Sequence, residues 1–341
     1  MNAHNTAPKW REIDTKAVPK AGAIKPGEAL RAVAGFGGKN GADIRAALSG
    51  GSGGAGGFTL PDDMFDEIVT LTSQQMAVVQ AGARVIELMH DDVTIPRLSG
   101  LPTPAWRLEN GAIAESDPVF SASKLTPKSL ALIFKVSREL LEDGFDIDLA
   151  LANAMTTTMA YELDRVTMRG SGSAGEPLGL LTGRPFIEGT VAPSPVIFRS
   201  YKPFVSMCGY LKQKKQYAAT PNAVLLSGPL ATYMEAATDG NMQPLQRPEA
   251  LKDVRLIPCH GLNAVAGETV GLEIAVAGQW DQMVIGWRGG IRIEQLRERY
   301  ADTGQVGFVV HARMGMELLN PHAFNIERDL KPALIGYPDF G

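Results

Sequence analysis

A regular stripe of apolar residues between positions 146 and 169 is the clearest pattern in the chain. Apolar side chains recur there at every third or fourth position, at Ile147, Leu151, Met155, Met159, Leu163 and Val166. This spacing places them on one face of a helix about 36 Å long, at about 1.5 Å per residue. The stripe ends at a Gly-rich stretch, 170–176, where we predict a tight loop. We interpret the methionines as packing residues.

Period-two alternation predicts strands elsewhere. Residues 306–318 alternate apolar and other side chains over their whole length, which is typical of a long half-buried strand. Shorter strands are predicted at 84–89, 93–96 and 130–137. Helices and strands thus occur in mixed order, which favours the α+β fold class.

From residue 201 onward the pattern changes to alternating helices and strands. A helix with a Lys-rich outer face is predicted at 201–217, and a second helix begins around Pro229. Buried strands are predicted at 223–227 and 254–258, followed by two or three more within 272–296. This region is predicted to form a unit of its own.

The stretch "WRLENGAIAESDPVF" (106–120) fits none of these patterns. It has too few apolar positions to bury a face and no dense cluster of turn residues. A two-stranded hairpin is only marginally stable in water by itself. We therefore expect an extended arm whose order comes from packing on a neighbouring copy of the chain.

The composition is that of a folded protein with an unusual N-terminus. Of 341 residues, 45% are hydrophobic and 21% charged, and the net charge of −4 gives no overall basic field for gripping nucleic acid. Residues 1–57 hold eight basic and four acidic residues, show no lasting helical stripe and end in "GGSGGAGG". This composition is typical of a disordered tail, or of an arm that is held by another subunit or by nucleic acid. The candidate basic contacts are Lys9, Arg11, Lys16, Lys20, Lys25 and Arg31.

No candidate for catalysis, cofactor binding or metal binding emerges. Gly170, Gly172 and Gly175 match a dinucleotide-binding spacing, but a helix enters this loop where the fingerprint needs a strand. The adjacent Cys259–His260 pair offers two ligands, whereas a zinc site needs four. A cysteine nucleophile remains an alternative, and a buried structural thiol is the commoner role. Two cysteines and no long apolar run favour a cytoplasmic, non-membrane origin.

The order of several motifs resembles a known family. "GGFTLP" is followed by "IPR", by Trp106 and Glu109, by "FSASKLTPKSLALIFKVSRELLED" and by "RGSGSAGEPLGLL". "GQWDQMVIGWRGGIRIE" and "VGFVVHARMGMELLNPHAF" follow near the C-terminus. Over roughly residues 50–330, the chain resembles the tailed-phage major capsid proteins with the Hong Kong 97 type fold.

The resemblance implies a division of the chain into named parts. They are an N-arm (1–57), a first part of the P domain (58–98), an extended E-loop (99–130), the rest of the P domain (131–200) with its spine helix (146–169) and Gly-rich loop (170–176), an A domain (201–302), a closing P-domain strand (303–324) and a return to the A domain (325–341). E-loop contacts with a neighbouring copy would fall on Trp106, Glu109, Glu115, Asp117, Val119, Phe120 and Lys124. Leu125 would add apolar burial there. The N-arm would pass across neighbouring subunits.

The implied function is structural. Hexamers and pentamers of the chain would build an icosahedral or prolate shell around dsDNA, contacted without sequence specificity, in a virion made in a bacterial cytoplasm. The implied partners are a portal and a separate scaffolding protein, with decoration proteins as a further option. The resemblance implies no membrane, no cofactor and no catalytic residue. An encapsulin-type nanocompartment is the alternative within the fold. An α/β enzyme with its site in 201–302 is the alternative of another class, and a monomeric binding module is third.

Two departures from the family pattern lead to further expectations. The cross-linking branch joins an E-loop lysine to an asparagine with the help of an acid. Here the tip "ENGAIAESD" has no lysine, the nearest are Lys124 and Lys128, and Ala312 stands at the position of the acid. We expect a shell without covalent cross-links. Because only 57 residues precede "FTLP", we also expect the arm to be retained and scaffolding to come from a separate protein.

Overall fold

The structure is a computed structural model that describes the chain as a series of segments. The described residues are 10–13, 26–34, 44, 57–59, 62–90, 93–100, 102, 106, 115–117, 119–143, 147–173, 175–182, 187–188, 196–213, 219–239, 241–263, 273–289, 291–296 and 299–332.

The helices among these segments vary widely in length. They are α1 (Pro26–Ala34), α2 (Asp62–Gln75), α3 (Ala77–Ala81), α4 (Arg138–Asp143), α5 (Ile147–Arg169), α6 (Lys202–Gln213) and α7 (Gly228–Ala236). The predicted long helix is confirmed as α5, because its stripe residues Met155, Met159 and Leu163 are all buried. The predicted helix at 201–217 is found as α6, and residues 214–218 lie outside the described residues.

The strands complete the mixed α+β architecture. They are β1 (Trp10–Glu12), β2 (Gly57–Thr59), β3 (Arg84–Leu88), β4 (Val93–Gly100), β5 (Val119–Leu125), β6 (Lys128–Ser137), β7 (Ile187–Glu188), β8 (Val196–Phe198), β9 (Ala223–Leu226), β10 (Arg255–Pro258), β11 (Glu273–Gly278), β12 (Met283–Arg288), β13 (Arg292–Leu296), β14 (Gln305–Leu318) and β15 (Phe324–Pro332).

The first sheet is built around β14, the long strand that alternation predicts. Its order is β1-β3-β12-β14-β13-β2, with β6 also paired to β14. β12 pairs with the C-terminal part of β14, and β13 pairs with the N-terminal part. The side chains of β14 that point inward, such as Phe308 and Val310, belong to the main hydrophobic core.

The second sheet has the order β10-β9-β11-β15-β7, with β8 also paired to β15. β9 is buried along its whole length, as its continuous apolar run predicts. Helices α6 and α7 both contact this sheet. One continuous hydrophobic cluster includes residues of α5, of both sheets and of α6, so the two sheets share a core.

The boundaries of the sheets differ from the predicted blocks. The block 201–302 contains strands of both sheets, because β12 and β13 pair with β14 in the first sheet. The block 131–200 also divides, since β7 and β8 pair with β15 in the second sheet. Pairing between strands far apart in sequence sets these boundaries. The hydrophobic pattern of a strand does not show which other strand it pairs with.

Two further predictions need correction. The hairpin predicted over 99–130 begins earlier and ends earlier, because β4 starts at Val93 and β5 ends at Leu125, while residues 128–130 belong to β6. The absence of a helical stripe in residues 1–57 was misleading, because α1 forms there. A helix of nine residues is only marginally stable in water by itself, and packing against α5 stabilises it.

Candidate assembly surfaces

The strands β4 and β5 form a two-stranded ribbon that belongs to neither sheet. The ladder runs from the pair Val93–Leu125 to the pair Leu98–Phe120, followed by an irregularity before Gly100. At its base, Val93 and Leu125 are buried in a small cluster that also contains Ile86, Leu88 and Val284. The expectation that Leu125 lies against a neighbouring copy is therefore wrong, because this side chain anchors the ribbon to its own subunit.

The outer part of the ribbon lacks such cover. Phe120 is 68% exposed and Val119 58%, and Trp106 is fully exposed. The predicted contact residues Glu115, Asp117 and Lys124 are exposed too, and Glu109 lies outside the described residues. Val119 and Phe120 are neighbours on β5, so the outer end of the ribbon is a candidate contact surface.

The Gly-rich loop after α5 is held by charge and by close backbone contacts. Arg165 of α5 donates to Glu162 and to Glu176 of the loop, at 2.7 Å each, and Glu176 also accepts from the backbone N–H of Ser171. These bonds raise the pKa of Arg165 and lower that of Glu176. Because a carboxylate already takes the loop N–H group at Ser171, the loop is not arranged to receive a phosphate.

The glycines of this loop have separate structural reasons. A Cβ on Gly170 would overlap the backbone oxygen of Pro177. Gly172 and Gly175 have φ angles of +71° and +87°, which favour glycine. The loop, α5 and β6 border an open groove of about 210 Å³, lined by Lys128, Leu130, Glu162, Val166, Glu176 and Pro177 among others.

A buried carboxylate that sequence reasoning missed joins α5 to the short helix α3. Asp164 is 2% exposed, and its side chain accepts hydrogen bonds from the backbone N–H groups of Ala77 at 2.9 Å and Val78 at 3.4 Å. Burial raises the pKa of the Asp164 carboxyl from 3.8 to about 6, and the two backbone hydrogen bonds oppose the rise. An acid beside the apolar stripe of a long helix was the available signal.

The other end of α3 is tied to the second sheet. Arg255 donates to the backbone oxygens of Gln80 and Ala81, at 2.6 and 2.9 Å, and Asn222 donates to the Ala81 oxygen at 2.9 Å. Asn222 also accepts from the backbone N–H of Trp280 at 3.0 Å. The short helix is thus bonded at one end to α5 and at the other end to Arg255 of β10 and to Asn222, directly before β9.

A second contact between α5 and the second-sheet region lies close by. Arg169 donates to the backbone oxygens of Gly261 and Leu262, at 3.0 and 3.2 Å. The rings of Tyr161 and His260 meet edge to face, with 4.8 Å between centroids. These contacts fix the direction of the spine helix relative to the second sheet.

The two cysteines are buried thiols with a structural role. Burial raises the pKa of Cys208 to about 11, and it raises the pKa of Cys259 still further. Neither thiol is therefore a reactive thiolate near neutral pH. Within the described segments, no group of three or more His, Cys, Asp and Glu side chains could hold a metal ion. None of the described helices is both long and apolar enough to cross a membrane.

The predicted basic contacts of the N-terminal arm are only partly described. Arg11 forms an ion pair with Glu87 of the same chain, with the shortest N–O distance 2.8 Å. Arg31 lies on α1 with its side chain half-buried. Lys9, Lys16, Lys20 and Lys25 lie outside the described residues.

Comparison with known proteins identifies the family. The sequence profile of the Phage capsid family matches residues 56–326, which is most of the chain. The chain therefore belongs to the Phage capsid family. The predicted family resemblance is confirmed.

Two curated relatives match part of the sequence. The major capsid protein of Klebsiella oxytoca phage phiKO2 is 28% identical over 142 residues, which are 41% of this chain and 33% of that protein. The major capsid protein of Halomonas phage phiHAP-1 is 28% identical over 134 residues, which are 38% of this chain and 22% of that protein. The matched part of the chain thus spans a third or less of the length of these relatives.

Solved structures show the same fold. The capsid of an empty GTA particle superposes with a TM-score of 0.56 at 16% identity, and the match covers 76% of this chain and 90% of that one. The predicted Hong Kong 97 type capsid fold of class α+β is confirmed.

Proposed function

We propose that the chain is a major capsid protein whose copies assemble through hexamers and pentamers into the head shell of a tailed phage. The observation that carries the proposal is the β4–β5 ribbon, which has a buried base and exposed Val119 and Phe120 at its outer end. Trp106, in the sequence between the two strands, is exposed as well. A firmly anchored ribbon with uncovered apolar side chains suits a contact with a neighbouring copy. The family and the fold support the same function.

In this proposal the parts of the structure take the roles of the capsid domains. The first sheet with α5 serves as the P domain, the second sheet with α6 and α7 as the A domain, and the β4–β5 ribbon as the E-loop. The bonds at both ends of α3 support a rigid connection between P and A domains. A rigid subunit makes the angle between neighbours reproducible, which a closed shell requires.

The energetics of such a shell require only weak contacts at each interface. Burial of apolar surface contributes roughly 25 cal/mol per Å² before ordering costs are subtracted. Each copy would contact several others, so that weak contacts reinforce each other. The role is structural, and the comparisons support neither the nanocompartment nor the enzyme alternative.

The proposal extends to the partners. Residues 58–341 have a net charge of −8, as follows from the total of −4 and the +4 of residues 1–57. An acidic body limits adhesion to packed DNA, and the arm lysines Lys9, Lys16, Lys20 and Lys25 are the candidates for phosphate contacts that do not depend on sequence, since Arg11 is paired with Glu87. Residence in the virion, a portal and scaffolding or decoration proteins belong to the same proposal.

We further propose that the shell lacks covalent cross-links. Ala312, at the position of the assisting acid in the cross-linking branch, is buried on β14 opposite Leu130. An apolar pair at this place supports the absence of a catalytic carboxylate there.

The function is tested by changing one ribbon residue and comparing it with a neighbour on the same strand. Phe120→Ser removes an exposed apolar side chain, while Ala122→Ser introduces the same hydroxyl at another exposed site of β5. Sedimentation and electron microscopy are expected to show shells for Ala122→Ser and fewer or no shells for Phe120→Ser. Equal thermal unfolding temperatures of the two unassembled variants would show that both fold. Full assembly of Phe120→Ser would contradict the role of the ribbon.

A further inference from the structure

We infer that residues 10–34 act as a clasp on their own subunit, which closes one edge of the first sheet against other copies. The family resemblance implies the opposite, an arm that passes across neighbours. This inference goes beyond the proposed function, because it concerns how one chain protects itself, assembled or not. It rests on the contacts of β1 and of α1.

The strand β1 covers the outer edge of β3. Trp10 lies opposite Leu88, Arg11 opposite Glu87 and Glu12 opposite Ile86, and the backbone N–H of Ile13 donates to Val85 at 3.0 Å. The other edge of β3 is paired with β12. Without β1, the outer edge of β3 would offer its free backbone groups to any extended chain, including another copy.

Charged side chains set the register of this short ladder. Arg11 binds Glu87 with 2.8 Å between Nη2 and Oε2, and Arg84 lies 3.7 Å from Glu12. A shift of one residue would place Glu12 opposite Glu87 and Arg11 opposite Leu88. Like charges directly opposite each other destabilise a strand pair, so the complementary order favours the observed register.

The helix α1 provides the second point of attachment. It packs against α5 and also contacts α2 and β13. Leu30 is completely buried, and Ile13, Leu30 and Ala34 all belong to the main hydrophobic core. Gln295 of β13 donates to the backbone oxygen of Ala34 at 3.4 Å. These arm residues are thus part of the subunit's own core.

Two attachment points in one chain favour attachment to the same subunit. Twelve residues, 14–25, join β1 to α1. Once α1 is docked, a short linker holds β1 near β3 at an effective concentration on the order of millimolar. A second copy at micromolar concentration competes poorly with it. The edge of β3 is therefore closed before copies meet.

A pair of engineered cysteines tests whether the clasp is internal. Arg11→Cys and Glu87→Cys stand directly opposite each other, and Cα distances of such pairs, about 4.5–5.5 Å, suit a disulfide. The native Cys208 and Cys259 are buried. After mild oxidation of the free protein and of any particles, non-reducing gels separate monomers from multimers. Mass spectrometry of the digested protein identifies the disulfide.

The expected result is a disulfide between positions 11 and 87 within monomers, before and after assembly. The control pairs Arg11→Cys with Lys252→Cys at an exposed site, and is expected to form no disulfide within the monomer. Disulfide-linked dimers or ladders of the 11–87 variant would overturn the inference, because β1 would then lie on another copy. A variant that stays reduced would overturn it as well. The outcome is read on monomers and particles alike, so it does not depend on the proposed capsid function.

Discussion

Gly261 lies in direct contact with the backbone of Asp164, because it has no side chain. A Cβ at position 261 would overlap the carbonyl group of Asp164 on the spine helix. Arg169 on the same helix donates to the backbone oxygen of Gly261 at 3.0 Å. The backbone of the second-sheet region thus contacts the backbone of α5 directly at Gly261. A larger residue at this position would prevent the contact.

Gly261→Ala is therefore expected to destabilise the subunit by about 1–3 kcal/mol, the usual range for overpacking. The matched control is Gly209→Ala on α6, where an added Cβ meets nothing within 4 Å. That change should be neutral or should stabilise the protein by up to about 1 kcal/mol, because alanine favours a helix. Urea unfolding of both variants measures the difference. Equal midpoints would show that the contact at Gly261 does not constrain the fold.

The buried Asp164 predicts a pH dependence of stability with a definite sign. Its pKa is about 6 in the folded chain and about 3.8 when unfolded, so between these values the folded state binds more protons. The contribution of Asp164 is fully present below about pH 4 and is lost as the pH rises through 6. Its contribution to the free energy of unfolding is at most roughly 3 kcal/mol.

Asp164→Asn should remove this component while one side-chain oxygen can still accept from Ala77. The free energies of unfolding of the wild type and the variant, measured between pH 4 and 7, give the difference directly. The wild type should lose stability relative to the variant over this interval. A constant difference would mean that Asp164 does not titrate there.

The burial of Leu30 predicts that the arm helix contributes to subunit stability. Leu30→Ala is expected to cost about 2–5 kcal/mol, as for other fully buried leucines. The control is Leu140→Ala on α4, where the side chain is 48% exposed and a change within about 0.5 kcal/mol is expected. Thermal or urea unfolding of the unassembled chains compares them. A small effect at Leu30 would place α1 outside the cooperative fold.

The composition of the ribbon predicts a shell without covalent links between subunits. Assembled particles boiled in SDS should give a single monomer band, because Lys124 and Lys128 lie near the base of the ribbon and the proposed counterpart of the assisting acid is Ala312. A ladder of multimers would contradict this prediction. The double variant Lys124→Ala and Lys128→Ala would then show whether either lysine forms the links.

Patterning along the chain predicts the elements better than their partners. The helix α5 and the strand β14 are long and strongly periodic, so each shows its period from the sequence. The assignment of β12 and β13 to the first sheet depends on their pairing with β14, which is set by distant residues. The extended arm was predicted from the polar composition of residues 106–120, and most of that stretch lies outside the described residues. The ribbon that the structure describes is formed by β4 and β5, which bury Val93 and Leu125 at their base.

The contacts that hold the subunit together were harder to predict from the sequence. Asp164 looks like an ordinary helix acid in the sequence, and only the fold brings the N–H groups of Ala77 and Val78 to it. Three of the five apolar residues of α1 are alanines, so the helix gives only a weak hydrophobic signal in the sequence. Both features depend on tertiary packing.

The central claim is that the chain builds a shell from copies of itself. The most direct measurement is sedimentation of the purified wild-type chain over a range of concentrations, combined with electron microscopy. The expected result is closed shells, or hexamers and pentamers that close when a partner is added. A chain that stays monomeric at every concentration and with every partner would contradict the account, and the exposed Phe120 would then need another explanation.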